Sequence, residues 1–232
     1  MVFGSHTRTG RLSVVWDGIT ARQVLHEDHA ARRHDLADAA KGYEWTKVLS
    51  LLEADPALAN TTRPDGQSLY APLHQAAHGN APQEVCEALI RLGTWRTLEN
   101  ARGERAVDVA ERLGHDRLMA ILEPVRVSRV PFGVLRKIQE HFHAVIRGRA
   151  DDLVRDARLR LPEIAHLLET PLDAEPAWFA VPGMYGGFAY RLVADGANAR
   201  LVAESWCRVV EGSGQRHEIT SAGTRLVDEG FV

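Results

Sequence analysis

Pro72-Leu73-His74-Gln75-Ala76-Ala77-His78-Gly79 decides how the first half of this chain folds. Proline stands where a starting helix has no use for an N–H donor, and glycine stands where that helix must stop. The alanines between them are small enough for a second helix to pack close. Asp65-Gly66 precedes the stretch as a turn, and Val85, Leu89 and Ile90 follow at helical spacing, ended by Gly93. Two more segments carry the same pattern. Ala39 in Asp38-Ala39-Ala40, Ala76, and Ala110 in Val109-Ala110-Glu111 recur at intervals of 37 and 34 residues. An apolar helix follows each: Val48, Leu51 and Leu52; then Val85, Leu89 and Ile90; then Leu118, Ile121 and Leu122. Gly42, Gly79 and Gly114 fall at the end of each first helix, where a residue that accepts positive φ is expected.

The period and the motifs resemble the ankyrin repeat. Asp65-Gly66 is similar to its turn, Pro72-Leu73-His74 to its Thr-Pro-Leu-His segment, and Gly114-His115-Asp116 to the Gly-His between its helices. Arg102-Gly103 opens the third unit. The resemblance implies about three repeats over residues 35–124, the first degenerate and cap-like, behind an extension of residues 1–34. It also implies that His74 bonds backbone between loops, and that the array binds a protein partner. Two departures stand out: no Thr precedes Pro72, and Gln67–Ala71 lengthens the β-turn finger. The positions expected to be exposed for partner contact are Arg63, Gln67, Tyr70, Trp95, Arg96 and Arg102, since Trp and Arg are frequent interface hot spots.

Composition narrows the classes. The 232 residues are 45% hydrophobic and 25% charged, enough for a real core and a charged surface. A net charge of -3 gives no footprint for nucleic acid or an anionic membrane. Two cysteines, Cys86 and Cys207, make neither a disulfide framework nor a metal knuckle and fit a reducing cytoplasm. Arg8, Arg11, Asp17 and Arg22 interrupt any signal-like run, and no stretch approaches the ~20 apolar residues of a membrane span. A cytoplasmic protein without cofactor or metal is expected. His141 and His143, two apart on a helix, do not share a face, and Gly183, Gly186 and Gly187 lack the helix and the Lys-Ser/Thr pair of a phosphate loop.

Beyond Glu123-Pro124 the period changes. Residues 125–132 are expected to be a linker and 133–232 a small α+β domain, helices first and then an antiparallel sheet. Leu135, Ile138, Phe142, Val145 and Ile146 predict an amphipathic helix over about 133–147, ended by Gly148. A short helix from Asp151 and another from Pro162 follow. Trp178–Val181, Phe188–Leu192, Leu201–Val210 and Gln215–Thr220 are strand-like. A four-residue loop at Glu211–Gly214 pairs Arg208 with His217 and puts Glu204, Trp206, Arg208 and His217 on one face, with Cys207 on the other. With Tyr185 these are the ligand candidates: a guanidinium fork, a titratable imidazole and a stacking surface. The same residues also suit a plain solvated face with a cross-strand ion pair. Leu12–Trp16 is strand-like and belongs either to the edge of the C-terminal sheet or along the first repeat.

Ile138-Gln139-Glu140-His141-Phe142-His143, the Val181–Phe188 turn and Glu204-Ser205-Trp206-Cys207-Arg208-Val209, set behind such an array, are similar to a group of bacterial ankyrin-repeat proteins of uncharacterised activity. That resemblance implies an arrangement and a bacterial source, and no reaction. The expected function is protein–protein interaction through the array. The alternatives are a small-molecule binder or enzyme on the C-terminal sheet, with the repeats as a docking arm, and an immunity or antitoxin role.

Overall fold

The computed structural model describes residues 15–207 and 212–230. Six helices follow strand β1 (Val15–Trp16): α1 (Glu27–Lys41), α2 (Trp45–Ala54), α3 (Pro72–His78), α4 (Gln83–Arg91), α5 (Ala106–Arg112) and α6 (Met119–Leu122). They stack as three pairs. α1, α3 and α5 form one layer, and α2, α4 and α6 the other. Ala39, Ala76 and Ala110 are at most 1% exposed, which is what lets the inner helices approach. Val48, Leu52, Leu89, Leu118 and Leu122 fill the space between pairs.

Local chemistry sets the helix starts. Pro72 opens α3, and the His74 ring accepts a hydrogen bond from the Ala71 N–H. Arg105 holds α5 the same way, its N–H donating to Asp108 2.8 Å away. The helix ends differ from expectation. Only Gly114 takes positive φ (71°), while Gly42 (−80°) and Gly79 (−83°) do not. Tyr43 and Asn80, one residue later, carry the left-handed turn instead. Gly79 is needed for space, because a Cβ there would stand 2.4 Å from the Tyr43 ring.

The C-terminal half holds helix α7 (Phe132–Asp156) and strands β2 (Ala177–Val181), β3 (Gly186–Ala194), β4 (Arg200–Cys207), β5 (Ser213–Thr220) and β6 (Gly223–Gly230). Helices then sheet is the observed order. The six-stranded sheet runs β1 to β6 in sequence and is mixed, not purely antiparallel, because β1 lies parallel to β2. Gly148 does not end α7. The helix continues past it and bends at Ala150, so that Val154 extends the buried stripe of Ile138, Phe142 and Ile146. The segment after Pro162 is a 3₁₀ helix, Ile164–Glu169. No helix of the described residues is long and apolar enough to cross a membrane.

Leu118 and Leu122, on the last helix pair, do not lie under the helix carrying Leu135 and Phe142. Instead α7 packs on the sheet, and these pairs belong to separate cores. The C-terminal half meets the array at its fingers: Ala71, Trp95 and Leu98 are buried in the same core as Phe142 and Tyr190. Residues 15–20 tie the parts together. Trp16 Nε1 donates to Arg160 O (2.9 Å), buried Arg33 on α1 pairs with Asp17, and Asp65 N donates to Thr20 O (2.7 Å). Gly18 (φ 63°) passes so close to Arg160 that a Cβ would lie 2.1 Å from its carbonyl oxygen.

Candidate functional site

The sheet has a helix-covered face and a solvent face, and the register decides which side chains stand on each. Trp206 pairs with Gly214, Glu204 with Arg216, Ala203 with His217 and Leu201 with Ile219. This differs by an odd number of residues from the register expected from a four-residue loop, and an odd slip turns a whole strand over. Burial explains the choice: the observed register puts Ile219 beside Leu201 under α7, both 0% exposed, where the expected one leaves Ile219 in solvent beside Trp206.

Glu204 and Trp206 therefore share the solvent face, as expected, but His217 does not join them. It lies half-buried on the helix side, its Nδ1 without a partner among the described residues, and burial and then the nearby Arg149 guanidinium push its pKa down. Cys207, placed on the face away from His217 by the expected register, shares its face. The two are still four positions apart along the ladder, roughly 13 Å, too far for a thiol–imidazole pair. Arg208 lies outside the described residues. Tyr185 is 75% exposed, on the β2–β3 turn rather than in the cleft described next.

Residues that the sequence did not single out complete the solvent face. Trp178 stacks on Trp206, ring centroids 4.6 Å apart, above Gly187. A Cβ on Gly187 would meet the Trp178 ring at 2.9 Å, so a side chain there is incompatible with the stack. Beyond Trp206, Gly214 pairs with Gly230 on β6, leaving a floor without side chains. The next row is Glu204, Arg216 and Asp228. Glu204 and Arg216 form an ion pair (3.5 Å), and Asp228 has no partner among the described residues. Together they bound an open cleft of about 540 Å³, with an indole at one end, glycine beneath and two carboxylates and a guanidinium along the side. That size suits one small ring. Gly214 was read as part of a turn, and Gly230 opposite it is legible only once the strands are aligned.

On the array, the six contact candidates separate. Gln67 and Arg102 are exposed, and Arg63 is exposed but paired with Asp38. Tyr70 is half-buried and stacks on His74 (5.5 Å). Trp95, expected on the surface, is 7% exposed, clamped between Trp16 and His166. Arg96 is turned inward, donating to Ile121 O (2.8 Å) and Glu169 (3.0 Å). His74 bridges loops: its second nitrogen donates to Glu104 O (3.1 Å), and burial drives its pKa down to about 4. A row missed by sequence runs over the ends of the inner helices. Tyr43 Oη lies 2.9 Å from His78 Nδ1, His78 is edge-on to Tyr70 (6.1 Å), and Arg112 donates to Tyr70 Oη (3.4 Å).

His141 and His143 each contact a backbone carbonyl, of Thr220 and Pro162, both at 2.9 Å. Among the described residues no group of three or more His, Cys, Asp or Glu is arranged to hold a metal ion. No protein-family model matches the chain, and no curated protein matches it significantly.

Proposed function

We propose that this chain is a recognition protein whose working surface is the solvent face of its C-terminal sheet, with an ankyrin-type array as a rigid support. The observation that carries this is the Trp206 indole standing at the end of the Gly214–Gly230 floor, beside Glu204, Arg216 and Asp228. The ligand this chemistry favours is a neutral, polyhydroxylated ring such as a pyranose. The indole takes its C–H face, the glycines admit its edge, and carboxylates and guanidinium accept from and donate to adjacent hydroxyls. Titrating hexopyranoses and short oligosaccharides into the full chain, followed by tryptophan fluorescence and calorimetry, tests it. Binding should fall at least roughly tenfold in Trp206→Ala. Binding unchanged by that substitution, or absent across the series, overturns it.

A second reading keeps the array as a protein-binding surface. Its support is the Tyr43–His78–Tyr70–Arg112 row, which leaves Tyr43 42% exposed, while Trp95 and Arg96 are used inside the chain. A partner retained by the full chain should be lost in Tyr43→Ala with Arg112→Ala, and retention by that double variant removes this reading.

A further inference from the structure

Strand β6 is the last strand of the sheet, and it is long for an open edge. Seven of its eight residues pair with β5 on one side; on the other side the strand's backbone groups have no partner among the described residues. Natural proteins cover, shorten or charge such edges, because an open one is a template for another strand. Here the centre of the edge is apolar, with Leu226 46% and Val227 44% exposed.

The sequence of β6, Gly223-Thr224-Arg225-Leu226-Val227-Asp228-Glu229-Gly230, is complementary to itself when reversed. Turned end for end against a second copy, Gly223 meets Gly230, Thr224 meets Glu229, Arg225 meets Asp228 and Leu226 meets Val227. In a regular strand of even length this pairing is impossible, because residues equidistant from the middle point to opposite faces. β6 is not regular. Arg216 pairs with Asp228 but His217 pairs with Leu226, so Val227 is an extra residue in a β-bulge. The bulge resets the alternation. Arg225 and Asp228 oppose Glu218 and Arg216 and so share the solvent face, as do Gly223 and Gly230, opposite Thr220 and Gly214. Thr224 and Glu229 oppose Ile219 and Gln215 and share the helix face. On either side of the bulge, these three pairs of the reversed register thus each lie on a common face, the condition for a twofold axis normal to the sheet.

We infer that a second copy of this chain pairs antiparallel along β6, with Arg225 opposite the partner copy's Asp228, to give one continuous twelve-stranded sheet across a twofold axis. Charge complementarity fixes the occupant: Asp228 has no partner among the described residues and gains a guanidinium, while Arg225 is already steadied by Glu218. The pairing also closes the open side of the Trp206 cleft. Gly223 of the second copy continues the floor beyond Gly230, and its Arg225 stands beside Asp228. The inference does not depend on what the cleft binds.

Light scattering on the eluting full chain, over a range of concentrations, tests it. The wild type should run as a dimer. Arg225→Asp and Asp228→Arg should each run as a monomer, because each sets like charges against one another, and the double swap Arg225→Asp with Asp228→Arg should restore the dimer. Val227→Lys, at an exposed position, should also run as a monomer while keeping the wild-type circular dichroism. A wild type that stays monomeric, or a dimer that survives Val227→Lys or either single reversal, overturns the inference.

Discussion

Trp95 lies flat on His166, with ring centroids 3.9 Å apart and planes 9° from parallel. Trp16 covers the array tryptophan from another side at 5.4 Å, and the Arg160 guanidinium sits 5.6 Å from the Trp16 ring. A finger of the array, a strand from the N-terminal segment and the turn after α7 therefore share one stack. Trp95→Ala should cost about 3–5 kcal/mol, as for other buried aromatic truncations. Urea unfolding of the full chain measures it, and a cost below about 1 kcal/mol shows that the two halves hold together without this contact.

Acid should loosen the protein through two imidazoles. Burial lowers both His74 and His166 from 6.5 to about 4. The unfolded chain thus binds protons at a pH where the folded chain does not. The stability they contribute is complete above about pH 6.5 and is lost as pH falls towards 4, on the order of 3 kcal/mol for each group. The melting temperature should fall over that window. His166→Phe, which preserves a ring against Trp95, should remove roughly half of the slope; an unchanged slope assigns it to other groups.

Thiol labelling should divide the cysteines. Cys86 is fully buried between helix pairs, and burial pushes its pKa up to about 11. Cys207 is half-buried at the end of β4. Iodoacetamide at about pH 8 should modify Cys207 in the native protein and Cys86 only after denaturant is added. Mass spectrometry reads the sites, and rapid native labelling of Cys86 contradicts the packing of α4.

Two glycines of the solvent face should behave in opposite ways. Gly187→Ala places a Cβ 2.1 Å from the Phe179 carbonyl oxygen and should disrupt the β2–β3 pairing and the Trp178–Trp206 signal in near-ultraviolet circular dichroism. A Cβ at Gly230 meets nothing within 4 Å, so in Gly230→Leu stability should stay within about 0.5 kcal/mol while the side chain fills the cleft and blocks its ligand. A destabilised Gly230→Leu contradicts the open floor.

What could be read from sequence was local. Ala39, Ala76 and Ala110 announced themselves by spacing, because each helix pair packs mainly on its neighbours in the chain. The β4–β5 register was not legible. It depends on whether Ile219 and His217 or Arg216 and Glu218 face α7, and only the packed helix decides. The same holds for Trp95. A tryptophan in a loop between helix pairs looks exposed until Trp16 and His166, far away in sequence, are brought against it. Glu204 and Trp206 were found as a pair because two residues on one strand keep their relation whatever the neighbouring strand does. Gly230 and Asp228 belong to a different strand and had no such anchor.

The parallel pairing of Val15–Trp16 with Trp178–Phe179 makes the two halves poor candidates for separate expression. A fragment beginning after the array lacks the strand that shields β2, exposing that backbone edge together with the apolar surface that Trp16 covers. Cutting there converts a protected sheet into an aggregation nucleus. During synthesis the same geometry makes β1 wait for the last third of the chain before it finds its neighbour.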